Sequence, residues 1–195
     1  MRQKFIPFLF SATLLFSLGC QTDDEMDEEI NKVMCDSSNT TFNQLYTSLI
    51  TSTDSGNNVS LDLVTHSYTF SVTSNKVICK VGYRSIPAMS TTPYDIEIYD
   101  NTSGTVMYSG SHVFSSTITS YVAITPVVIQ TGHSYTIKRS QNNYAGNITN
   151  TIGRRIASPT LPIVYGDLKI TGSSYYGTGG PINNTSIPYI DIVFE

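Results

Sequence analysis

The chain has 195 residues, with 15 acidic and 11 basic side chains and a formal net charge of −4. Six of the acids fall between Asp23 and Glu29, and from residue 30 onward nine acids balance nine bases, a neutral body that excludes a basic nucleic-acid surface. Hydrophobic residues at 39% exclude wholesale disorder, and the length suits one domain whose core can stand without a disulfide framework.

Met1-Arg2-Gln3-Lys4 is a short positive leader, followed by the apolar run Phe5 to Phe16 and then by Ser17-Leu18-Gly19-Cys20. That order is the n-region, h-region and small-residue cleavage site of a secretory signal peptide, here residues 1–19. A spanning helix needs about 20 apolar residues, so this stretch is too short to cross a bilayer. Gly19-Cys20, with Leu18 nearby, resembles the bacterial lipoprotein signal, although Ser17 stands where that family usually carries an aliphatic residue. The resemblance implies acylation of Cys20 as the new N-terminus. Each buried acyl CH₂ then contributes about 0.8 kcal/mol of membrane affinity. Asp23-Asp24-Glu25-Met26-Asp27-Glu28-Glu29 is similar to the acidic export tag of Gram-negative surface lipoproteins, which implies the outer face of the outer membrane. By composition alone it is also a self-repelling, extended segment, so residues 20–40 read as an acidic tether.

From Thr41 the apolar residues Phe42, Leu45, Tyr46, Leu49 and Ile50 recur at helical spacing, with Ser or Asn at hand as N-cap. Thr51-Ser52-Thr53-Asp54-Ser55-Gly56 breaks the pattern, so residues 41–56 hold a short helix and a loop.

Beyond this the period becomes two. Tyr68, Phe70 and Val72 alternate with polar residues, as do Tyr94, Ile96 and Ile98, then Val106 and Tyr108 after the turn-rich Asp100-Asn101-Thr102-Ser103-Gly104. Val77, Cys79, Val81 and Tyr83 share another parity. Tyr121 to Ile129 is a β-rich run whose Pro126 suggests an edge or a bend. Tyr135 with Ile137, Leu168 with Ile170, and Ile190, Ile192 and Phe194 complete about eight short strands. Residues 57–195 therefore read as an all-β domain, an antiparallel β-sandwich or jelly roll. Val81-Gly82-Tyr83-Arg84-Ser85, Gly132-His133-Ser134-Tyr135-Thr136-Ile137 and Pro188-Tyr189-Ile190-Asp191-Ile192-Val193-Phe194 resemble an uncharacterised β-sandwich family of bacterial extracellular proteins, often found beside carbohydrate-active modules. The resemblance covers roughly residues 66 to 195 and implies a fold more than an activity.

With Cys20 acylated, Cys35 and Cys79 remain in a disulfide-permissive compartment. The strand parity points Cys79 at the core, and spacing leaves open a 35–79 bridge or two thiols. His66, His112 and His133 show no metal-ligand spacing, so neither metal nor cofactor is expected. Loop oxygens around Asp100 or Asp167 are the nearest thing to a Ca²⁺ site. A glycosidase needs two opposed carboxyls, which Asp191 with Glu97 or Asp95 would have to supply, and no nucleophile motif stands out, so a non-enzyme is expected. The best binding candidates are Tyr144, Arg154 and Arg155 in the polar segment from Ser140 to Pro162, with Tyr175 and Tyr176 in a second polar-aromatic loop. Tyr rings stack on sugars and Arg donates paired hydrogen bonds. The functional expectation is a lipid-anchored outer-membrane protein, exposed at the cell surface, whose sandwich binds an extracellular ligand such as a glycan or an envelope protein. The alternatives are a structural or adhesive envelope component and a carboxylate-dependent glycoside hydrolase.

Overall fold

The structure is a computed structural model, and it describes residues 35–50, 56–141 and 148–195. The signal peptide, Cys20, the acidic run and Tyr144 lie outside the described residues. Among the described residues, one α-helix, α1 (Thr41–Ile50), precedes thirteen strands: β1 (Gly56–Asp62), β2 (Thr65–Val72), β3 (Lys76–Tyr83), β4 (Tyr94–Asp100), β5 (Thr105–His112), β6 (Ser120–Ile129), β7 (Tyr135–Gln141), β8 (Ile148–Ala157), β9 (Ile163–Tyr165), β10 (Leu168–Gly177), β11 (Gly180–Asn183), β12 (Ser186–Pro188) and β13 (Asp191–Phe194). All strand pairs are antiparallel.

The large sheet runs β11-β10-β2-β7-β4-β5, with β9 added to β10. The sheets β1-β8-β12 and β13-β3-β6 supply the other layer. Tyr68, Phe70, Ile96, Ile98, Ile137 and Ile170 from the large sheet meet Ile78, Val81, Ile129, Ile156, Ile187 and Ile192 in one core. Strands β2, β4 and β7 bury every second residue, as expected for sheets apolar on one face. The all-β sandwich is thus the fold of the described residues.

The strands beyond the expected eight are β1, β8, β9, β11 and β12. Their sequences are polar, Gly- and Asn-rich or very short, and carry no apolar alternation; pairing to neighbours makes them strands. Much of the segment from Ser140 to Pro162 is accordingly strand β8 rather than loop. The β4–β5 hairpin forms where expected, with Asp100 Oδ1 accepting the Thr102 and Ser103 N–H groups and Gly104 at φ +72°.

Strand β3 departs from the simple alternation. A register shift between Ile78 and Lys80 turns Ile78 into the core, while Cys79 is buried outside that core. One extra residue in a bulge reverses inward parity, which period-two counting cannot see. Cys79 is disulfide-bonded to Cys35, with a Cα–Cα separation of 6.2 Å. Lys80 Nζ also donates to the Cys35 carbonyl at 2.8 Å. Residues from Cys35 onward, assigned by sequence to the tether, are therefore fastened to the sheet. The α1 N-cap is Thr40 rather than Ser or Asn: its Oγ1 accepts the Asn43 N–H at 3.0 Å. Helix residues Phe42, Leu45 and Tyr46 are buried against β13 and its neighbours. Strand β13 is consequently covered on both faces, so Asp191 and Val193 are as buried as Ile190 and Ile192, whereas the terminal Phe194 is only partly buried.

Candidate functional site

The covering of β13 creates a buried polar centre. Asp191 is 0% exposed. Thr40 Oγ1 donates to its two carboxylate oxygens at 2.7 and 2.8 Å, and the Tyr121 hydroxyl donates at 2.7 Å. Burial pushes the Asp191 carboxyl up to about 6, against the opposing pull of the Tyr121, Thr40 and Tyr189 hydroxyls. Gly82 makes the Tyr121 contact feasible. It faces both Asp191 and Tyr121 in the strand register, and a Cβ there would come 2.6 Å from Tyr121 Cδ1. The Tyr189 ring meets Phe42 and Tyr46 edge-on, and its hydroxyl donates to Asn43 Oδ1 at 2.8 Å.

Above this centre, the outer side of α1 and strand β9 enclose an open groove of about 460 Å³. Asn39, Asn43, Gln44, Thr47, Ser48 and Tyr165 line it. Gln44 is braced at both ends: its Nε2 donates to the Asn39 carbonyl at 3.1 Å, and its Oε1 accepts from the Tyr165 hydroxyl at 3.3 Å. Asn43 Oδ1 is held by Tyr189, which leaves its NH₂ as the end able to serve a ligand. The lining is entirely neutral. It offers amide donors and acceptors, hydroxyl oxygens and one aromatic ring, a set matched to a hydroxyl-rich neutral molecule rather than to an ion.

The residues singled out by sequence are distributed differently. Tyr175 and Tyr176 are successive residues of β10, not loop residues, so they face opposite ways. Tyr176 is 48% exposed, whereas Tyr175 is buried with its ring tilted at 54° against that of His66, centroids 4.6 Å apart. Arg154 and Arg155 are successive residues of β8, opposite Asn57 and Gly56 of β1. Arg155 lies near enough to Tyr175 to interact with it electrostatically. Arg155 and Tyr175 are thus brought together, but inside the sandwich rather than on an exposed loop cluster. Tyr144 is outside the described residues.

Arg139 of β7, which sequence reading passed over, is fully buried beside them. Its Nη1 donates to the Leu63 carbonyl at 3.0 Å and its Nη2 to His66 Nδ1 at 2.6 Å. Its guanidinium lies 4.8 Å from the Tyr94 ring centroid and 5.3 Å from that of Tyr83.

Four other carboxylates have separate partners. Glu97 pairs with Lys138 at 2.6 Å, and Asp95 accepts from the Ser111 hydroxyl. Both belong to β4 of the large sheet, while Asp191 belongs to β13 of another. Asp100 meets His133 at 2.8 Å; burial alone would raise its carboxyl, but His133, Ser103 and Thr102 bring it down to about 2. Asp167 is lowered to about 2 by Lys76, Thr73 and Ser74.

Sequence reading missed the groove because its residues are the polar side of an amphipathic helix, which ordinarily faces water. The signal present was chemical: Asn39, Asn43 and Thr47, and beside them Gln44 and Ser48, recur at intervals of four with no charge among them. Compared with known proteins, the chain matches no family model and no curated protein.

Proposed function

We propose that the protein is a lipid-anchored surface lipoprotein whose sandwich binds a neutral extracellular glycan without catalysis. The observation that carries this reading is the groove between α1 and β9, concave, uncharged and lined by braced amides and a tyrosine. Pre-placed amides spare a ligand the cost of ordering them, and a partly buried Tyr165 offers ring surface to a sugar's apolar face. The anchor rests on Gly19-Cys20, and surface exposure on the acidic run that follows it.

The test is a glycan array probed with the full chain and with Asn43→Ala and Tyr165→Ala variants. Selective binding of neutral glycans, weakened by both changes, supports the reading. Absence of binding, or binding indifferent to both, removes it.

One observation favours a second reading, an adhesive envelope component. Strand β5 closes the large sheet and β6 closes a smaller one, and the exposed Val106, Met107, Val113 and Val128 lie on or beside them. Uncovered apolar edge strands are templates for strand pairing. Concentration-dependent self-association abolished by Val106→Lys would favour it.

A further inference from the structure

The Tyr189 hydroxyl stands between the buried Asp191 centre and the groove. It lies 2.8 Å from Asn43 Oδ1 and 3.4 Å from Asp191 Oδ2. A phenol has one proton to donate and an amide oxygen can only accept, so the Asn43 contact needs that proton. A protonated Asp191 leaves it there. Its own O–H can donate to the Tyr189 oxygen, and the chain then runs in one direction from Asp191 through Tyr189 to Asn43. An ionised Asp191 can only accept, and its charge competes for the same proton. Asn43 Oδ1 then loses its brace, and Asn43 is one of the amides that line the groove.

The surroundings leave this change to the carboxyl. Helix α1 and strand β6 carry no charged side chain. Tyr121 of β6 donates to Asp191 itself, and Tyr68 of β2 donates to the neighbouring Ile190 carbonyl. On β3, Lys80 reaches the Cys35 carbonyl and Lys76 pairs with Asp167. His66 of β2 is engaged with Arg139 of β7, and Glu195 lies within 4.8 Å of the Cys35 and Cys79 sulfurs. Tyr121 is partly exposed, which gives the Asp191 proton a path to water. Taking the groove as the glycan site, we propose that Asp191, acting through the single proton of Tyr189, is a pH-dependent control on Asn43 and so on ligand affinity. Protonated, the centre keeps Asn43 placed for the ligand; ionised, it releases Asn43, and the ligand must order it again. Burial sets the carboxyl at about 6, so the change falls between mildly acidic and neutral pH. By linkage, a bound ligand makes Asp191 harder to ionise.

The test follows the Asn43 side-chain amide by NMR in the full chain in detergent from pH 4.5 to 7.5, its resonances identified by their loss in Asn43→Ala. They should titrate with a midpoint of about 6 in wild type. They should stay still in Tyr189→Phe, which keeps the ring packed, and in Asp191→Asn, which stays neutral. A wild-type amide that does not titrate, or one that titrates equally in Tyr189→Phe, overturns the proposal and leaves the groove untouched. The neutral oligosaccharide that binds best on the array is then titrated at pH 5 and 7.5. Its affinity should fall about two- to tenfold with the rise in pH for wild type and show no such dependence in Asp191→Asn. A wild-type affinity independent of pH overturns the proposal while the glycan site stands. An amide that titrates while the array shows no binding at either pH supports the control of Asn43 and removes the glycan as the ligand.

Discussion

Asp191→Asn isolates the carboxylate that, among the described residues, burial raises above its ordinary value, a burial that works against the fold at neutral pH. In the folded protein its carboxyl titrates at about 6, because burial disfavours the charge more than its hydroxyl donors favour it. In the unfolded chain it returns to 3.8. The folded state therefore holds the proton more tightly, so this group's stabilisation is complete below about pH 4 and is lost as pH rises through about 6. At 1.36 kcal/mol per pH unit the loss is about 3 kcal/mol by pH 7. Urea unfolding of wild type and Asp191→Asn at intervals from pH 4 to 7 measures it. The amide changes the hydrogen bonds to Thr40 and Tyr121 by an amount that does not vary with pH, so the difference between the two curves should carry the slope. His112, whose pKa burial lowers, gives both proteins an opposite slope that cancels in the difference. A wild-type minus variant difference that stays flat from pH 4 to 7 would refute the reasoning, because Asp191 would then be charged to the same extent folded and unfolded.

Other changes test other layers of the account. Phe42→Ala removes a fully buried ring between Tyr68 and Tyr189 and should cost about 3–5 kcal/mol in denaturant unfolding. Gly82→Ala drives a methyl group into Tyr121 and should destabilise the fold by more than Tyr121→Phe does, since the ring must leave its place as well as its bond. Cys79→Ser opens a link between residues 44 apart in sequence and should cost about 2–4 kcal/mol, read as a lower urea midpoint that reductant no longer shifts. Cys20→Ser should move the protein from the membrane fraction to the soluble fraction, and unchanged fractionation would remove the anchor.

How far the sequence could be read depended on whether alternation survived folding. Tyr68, Phe70, Ile96 and Ile98 sit in strands buried on one face, so period two placed them in the core. Two features of the core escaped alternation for physical reasons. A bulge at Ile78–Lys80 shifted the parity of β3, and helix α1 covered the second face of β13, which no local pattern in β13 records. Strand β8 was hidden because Ile148–Ala157 has polar and glycine residues where alternation should be, and its strand state comes from pairing with β1 and β12. The chemistry of Arg155 and Tyr175 was legible, but the burial of Tyr175 was not. Side-chain type suggested loop ligands, whereas successive positions in a strand must point to opposite faces.

The central claim is that the groove between α1 and β9 is where the glycan binds. Hydrogen exchange of the full chain, measured with and without the neutral oligosaccharide that binds best on the array, tests it most directly. The account predicts ligand-dependent protection confined to residues 39–48 and 163–165. Protection at β5 and β6, or at residues 155 and 173–175, with none at α1 and β9, would contradict it.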